Sequence, residues 1–248
     1  MTSRSADAPG TGSAGTGNGP AVSRREFDAL FDAVRTWGRW TPADRGAWNR
    51  VTADHVRRAT AAVRSGVVVP LALPWNTRPG PDNRRAALHH MTDLGDVESP
   101  EPSTYKDFIG ADYHGKGVTH LDALCHIAYR GRLYDGRPAG DVVGAAGARF
   151  GAVSALGPLV TRGVLLDLPA VLGIRWLEPG RAVHAADVTA AERALGVTVG
   201  EGDAVLLRSG HVRRRAELGG LGPRHGERGL PRGRRSAAGR AWCRTARR

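Results

Sequence analysis

Three histidines and one aspartate fall within thirteen residues: His114-Gly-Lys-Gly-Val-Thr-His120-Leu-Asp122-Ala-Leu-Cys-His126. Imidazole and carboxylate are the groups that bind zinc or manganese and move protons near neutral pH. Positions 114, 120, 122 and 126 share one parity, so locally extended backbone sends all four side chains to one face. A helix would split them, because at about 100° per residue His120 and Asp122 would point about 200° apart. Gly115 and Gly117 let the chain bend between His114 and the rest. The pattern predicts a metal site on a bent strand or loop that supports hydrolysis.

The same residues carry a resemblance. Thr119-His120-Leu-Asp122-Ala-Leu-Cys-His126 resembles the core motif of the metal-dependent cyclase/kynurenine formamidase-like hydrolases, His-x-Gly-Thr-His-x-Asp-x-Pro-x-His. Gly131-Arg-Leu-Tyr134-Asp-Gly136 is similar to the continuation in the cyclase branch, and Gly202-Asp-Ala-Val-Leu-Leu-Arg-Ser-Gly210 to a later strand and turn. The likeness runs over about residues 25 to 218. Two departures stand out. Lys116 occupies the family's first His position, which leaves His114 as the replacement ligand, and Leu124 stands where the pattern has Pro.

The resemblance implies an α/β fold: a swivelling β/β/α domain with a mixed, partly barrel-like sheet. It implies a divalent metal, Zn or Mn, held by His114, His120 and Asp122, with His126 as general acid/base. An isolated His-x-Asp is more often a structural hydrogen-bonded pair, and it is the motif around this one that argues for ligands. The implied reaction is hydrolysis of a C–N amide bond in a small substrate such as N-formylkynurenine, an isatin-like lactam or a cyclic amide. A homodimer or homotetramer is implied as well.

Composition bounds these readings. A chain of 248 residues suffices for one large domain. No apolar run reaches the ~18 residues of a membrane span. Residues 1 to 22 are rich in Gly, Ser, Thr and Ala and predict a disordered extension without a signal-peptide core. Two cysteines, Cys125 and Cys243, make no disulfide framework, so a cytoplasmic protein is expected.

The net charge of +12 is concentrated at one end. Residues 212 to 248 hold twelve arginines and only Glu217 and Glu227 as acids, for +10, which leaves +2 over residues 1 to 211. A nucleic-acid function could therefore act only through the Arg-rich tail, residues 219 to 248. That tail has no Val, Ile or Phe and no helical or strand period. It reads either as such an arm or as a shifted reading frame of GC-rich DNA. On the second reading the frame changes near Leu218. The corrected frame would then supply a further His and a Glu to the site, and the present chain would be an inactive relative.

The supporting elements follow from periodicity. Ser23 to Trp37 predicts a helix with a Ser23–Glu26 capping box, and Thr52 to Ser65 a second helix ending at Gly66. Val67 to Leu73 predicts a short buried strand, Ala86 to Met91 a return to the sheet, and Gly163 to Pro169 and Asp203 to Arg208 core strands. Asp187 to Leu195 predicts a helix capped by Asp187. Cys125 faces away from the histidines and reads as a small apolar residue. His89 and His90 read as structural or exposed, and Trp37, Trp40, Trp48 and Trp75 as core, with an aromatic pocket as the alternative.

Overall fold

The computed structural model describes residues 22–95, 102–114 and 117–220. The predicted N-terminal extension, Gly115, Lys116 and most of the Arg-rich tail lie outside the described residues.

The chain opens with α1 (Arg24–Val34). The Ser23 hydroxyl accepts from Glu26 N at 3.2 Å and the Glu26 carboxylate accepts from Ser23 N at 2.7 Å, closing the predicted box. Phe27 and Phe31, one turn apart, meet Tyr129 with ring centroids 5.3 and 4.7 Å away. Phe31 also meets Trp37 edge-on at 5.7 Å. A 3-10 segment (Ala43–Arg50) leads to α2 (Ala53–Ala61), which stops four residues short of the predicted end.

Two antiparallel strands, β1 (Leu88–Asp93) and β2 (Lys106–Gly110), then bring the chain to the motif. Beyond it come α3 (Ala139–Val142) and the two-residue strands β3 (Val143–Gly144) and β4 (Gly147–Ala148). The last unit comprises β5 (Gly163–Asp167), α4 (Leu168–Leu172), α5 (Ala185–Leu195), β6 (Ala204–Arg208) and α6 (His211–Leu218). β5 and β6 pair in parallel, which requires a crossover, and α4 and α5 supply it. Val164, Leu166, Leu168 and Ala191 are buried between that pair and its helices and form the main core cluster. Residues 164 and 166 alternate with exposed Leu165, as a strand covered on one face dictates.

The fold is mixed α/β, as expected, but the strands make three separate two-stranded sheets, and none closes into a barrel among the described residues. Three local expectations need correction. Val67 to Leu73 is neither a strand nor buried: Val68 is 90% exposed, and Pro70 removes one of the N–H donors a ladder would need. β6 is half-buried to exposed, because α4 and α5 cover β5 first. His184 occupies the N-cap of α5, and Asp187 sits at the third helical position, its carboxylate accepting from His184 N at 2.7 Å. The predicted cap belongs one turn earlier. No helix among the described residues is long and apolar enough to cross a membrane.

Candidate metal centre

The motif is a loop held by discrete stitches. β2 ends at Gly110, and Tyr113–His114 form a turn. The Thr119 hydroxyl accepts from Leu73 N at 3.1 Å, which ties the loop to the exposed 67–73 segment. At the far end His126 N donates to Ala123 O (3.0 Å) and Cys125 N to Gly151 O (3.2 Å), so residues 123–126 turn instead of extending. His126 therefore reaches the cluster through a turn and not through strand parity.

Two anchors were not legible in the sequence. Asn83, 5% exposed, is the buried polar residue of the described chain. Its amide donates to Asn76 O (2.9 Å) and Arg78 O (2.8 Å). The Asn83 side chain lies so close to Gly117 that a β-carbon there would fall 2.5 Å from its Oδ1, so only glycine fits. Leu124, at the family's proline position, wedges against Gly46 and Gly151. β-carbons there would lie 3.1 and 3.2 Å from its side chain, and both glycines have positive φ. A lone Asn in a Pro/Arg-rich stretch and a Leu in place of Pro give no periodic signal, and only the fold shows what they touch.

All four chemistry-bearing residues come together. Asp122 Oδ1 lies 3.0 Å from His114 Nδ1, 3.3 Å from His120 Nε2 and 3.8 Å from His126 Nε2. The His114 and His126 rings stack at 4.1 Å with 3° between their planes, and His120 stands edge-on to His114 at 5.4 Å. His114, Asp122 and His126 offer ligand atoms all within 4.8 Å of one another. The cluster is open to solvent: the Asp122 side chain is 52% exposed and that of His120 22%.

The donor chemistry fits a cation. His120 Nδ1 lies 2.8 Å from the Val118 carbonyl, an acceptor, so Nδ1 carries the proton and the neutral ring turns its Nε2 lone pair outward. That lone pair faces the Asp122 carboxylate at 3.3 Å. Two acceptors at this distance repel unless a proton or metal ion lies between them. A ring nitrogen oriented by a backbone carbonyl behind it is also how metal-binding histidines are held. Imidazole with carboxylate suits zinc or manganese.

The other histidines among the described residues do not join this cluster. His89 Nε2 lies 2.8 Å from Asp107 Oδ2 across β1–β2, and His90 stacks on Phe108 at 5.1 Å. Cys125 is half-buried. Trp75 is 42% exposed, and Trp40 and Trp48 are partly buried with indole N–H groups that have no hydrogen-bond partner among the described residues.

Residues 110–231 match the family described as "Putative cyclase". A crystal structure described as that of a novel cyclase resembles this fold with a TM-score of 0.68 at 24% identity. The likeness covers 75% of this chain and 65% of that one, so this chain spans about two thirds of its length. No curated protein matches the chain.

Proposed function

We propose that this chain, whose residues 110–231 match the family described as "Putative cyclase", is a metal-dependent hydrolase of a C–N amide bond in a small molecule. N-formylkynurenine, isatin-like lactams and cyclic amides are the substrate classes proposed. One observation carries the reading: three imidazole nitrogens gather within 3.0–3.8 Å of one oxygen of Asp122 on a solvent-open loop.

In this reading His114, His120 and Asp122 hold a divalent ion, Zn or Mn. When bound, such an ion acidifies water and polarises a carbonyl. His126 takes the proton from the attacking water. The water oxygen bonds to the carbonyl carbon, the C–N bond breaks, and His126 returns the proton to the departing nitrogen. Imidazole is the side chain that both takes and returns protons near neutral pH, as the two directions require. Stacking on His114 fixes the His126 ring plane, and Asp122 lies within reach of its Nε2.

A second reading exchanges His120 and His126. It is favoured by the mutual closeness of His114, Asp122 and His126. Metal content separates the two: His120→Ala empties the site in the first reading, His126→Ala in the second.

We propose further that the chain works as a homodimer or homotetramer, supported by Leu88, Phe108 and Ile109, which stand exposed on the β1–β2 hairpin. The test of function is hydrolysis of N-formylkynurenine and isatin by the Mn- or Zn-loaded chain. Turnover should vanish with chelator and return with metal. Turnover indifferent to chelator and to Asp122→Asn would remove the proposal.

A further inference from the structure

Outside the His-Asp loop, α2 and the turn after it face the segments that lead into β5 and β6 across a cavity of about 570 Å³. Its charged lining is His55, Arg58, Arg64, Arg162, Glu201 and Asp203. No residue of the metal cluster contributes.

The charges of this cleft divide into spent and unspent groups. Asp203 is held by Arg162, whose Nε donates to Oδ1 at 3.0 Å, and it also accepts from Gly200 N at 2.7 Å. The same guanidinium donates to Thr198 O at 2.8 Å, so Arg162 is committed to the fold. Glu201 is paired with Arg50 at 2.5 Å. On α2 itself Arg57 is taken by Asp54. Arg58 and Arg64 are different: among the described residues neither guanidinium has an ion-pair or hydrogen-bond partner, yet both line the cavity. With both carboxylates already neutralised, these two cations set the sign of the space. His55 accepts from Thr52 N at its Nδ1 (3.2 Å), which leaves the neutral ring's proton on Nε2 as a further donor.

Two unspent guanidiniums facing one cavity suit a dianion with a tetrahedral fan of acceptors, because each planar fork can take two oxygens. The volume exceeds what a bare oxyanion fills and lies in the range of small-ligand pockets, about 300–1,000 Å³. We propose that this cleft is a second, non-catalytic binding site for a phosphate group, carried on a small organic molecule, with Arg58 and Arg64 as its recognition residues.

The probes are inorganic phosphate and phenyl phosphate, titrated into the full chain and followed by 31P NMR at low ionic strength. Both should bind. Phenyl phosphate should bind tighter if the ester is the natural form, and the two should bind equally if free phosphate is. Arg58→Ala/Arg64→Ala should weaken both at least about tenfold, the loss of a pair of charge-assisted contacts. Ala61→Trp, which fills the cleft from α2 and keeps every charge, should weaken phenyl phosphate comparably. Both sites are exposed, so melting temperatures should hold. Asp122→Ala should leave phosphate binding unchanged. Absence of binding to the natural chain overturns the proposal. So does binding that survives the double substitution, since it would then reside on the arginines of residues 212 to 248.

Discussion

At the centre of the β5–β6 unit Leu166 and Leu168 are 0% and 1% exposed, whereas Asp122, at the centre of the histidine cluster, is 52% exposed. The first region is a parallel pair sealed by two helices, and its cohesion comes from apolar area removed from water. The second is a loop whose shape depends on a few polar stitches and on Asn83 and Leu124 filling space that only glycines leave. On the proposed function one region holds the fold and the other the chemistry, so a lesion in one should spare the property of the other.

The largest effect is expected at Asp122. Replacing it by Ala should cut turnover about 10³-fold, the scale of losing both a ligand and a group beside the acid/base. The melting temperature should stay near that of the natural chain. A large loss of stability instead would mean that the loop supports the fold and would erase the contrast. The converse lesion is Leu166→Ala, which should cost about 2–5 kcal/mol by urea denaturation. The protein that remains folded should keep its metal content.

Asn83→Ala tests the join between the regions. It removes two donors from the carbonyls of Asn76 and Arg78 and the surface on which Gly117 rests. Metal affinity should fall about tenfold, the usual consequence of losing an outer support, with a stability cost of about 1–3 kcal/mol.

Acid should act on the scaffold. Hydrogen bonding from Arg215 holds the Asp82 carboxyl below its ordinary range, against the opposing pull of burial. At Asp203 burial would raise the carboxyl, but Arg162 and the Gly200 N–H outweigh it and the direction is again downward. A carboxyl lowered in the folded state stabilises at pH above its unfolded value of about 3.9, and that stability drains as pH falls through the folded value. The urea midpoint should therefore be flat from neutrality to about pH 5 and drop below about pH 4. Arg215→Ala should flatten part of that drop. The smallest effect belongs to Val68→Ser, within about 0.5 kcal/mol, because the side chain is already 90% in water.

That last residue marks where the sequence misleads. Val67 to Leu73 and Gly163 to Asp167 carry the same apolar signal, and only the second is a strand with a buried face. Composition reports what a segment could bury, not whether a partner and two covering helices exist to bury it. Local signals fared differently. The Ser23–Glu26 box is a pair of short-range hydrogen bonds written three residues apart, and it stands where predicted. The convergence of His114, His120, Asp122 and His126 was legible because type and spacing are both local. The route was not, since the turn at residues 123–126 depends on Gly151, far along the chain. Asn83 and the Arg58–Arg64 cleft rest wholly on tertiary contacts and left no trace in periodicity.

The central claim is that His114 and Asp122, with one further histidine of the cluster, hold one divalent ion. Purified full-length chain, dialysed against Zn or Mn and analysed by inductively coupled plasma mass spectrometry, tests it directly. About one ion per chain is expected for the natural sequence and close to none for Asp122→Ala and His114→Ala, with Leu166→Ala retaining its ion in the folded fraction. Full occupancy in Asp122→Ala, or none in the natural chain, would contradict the account.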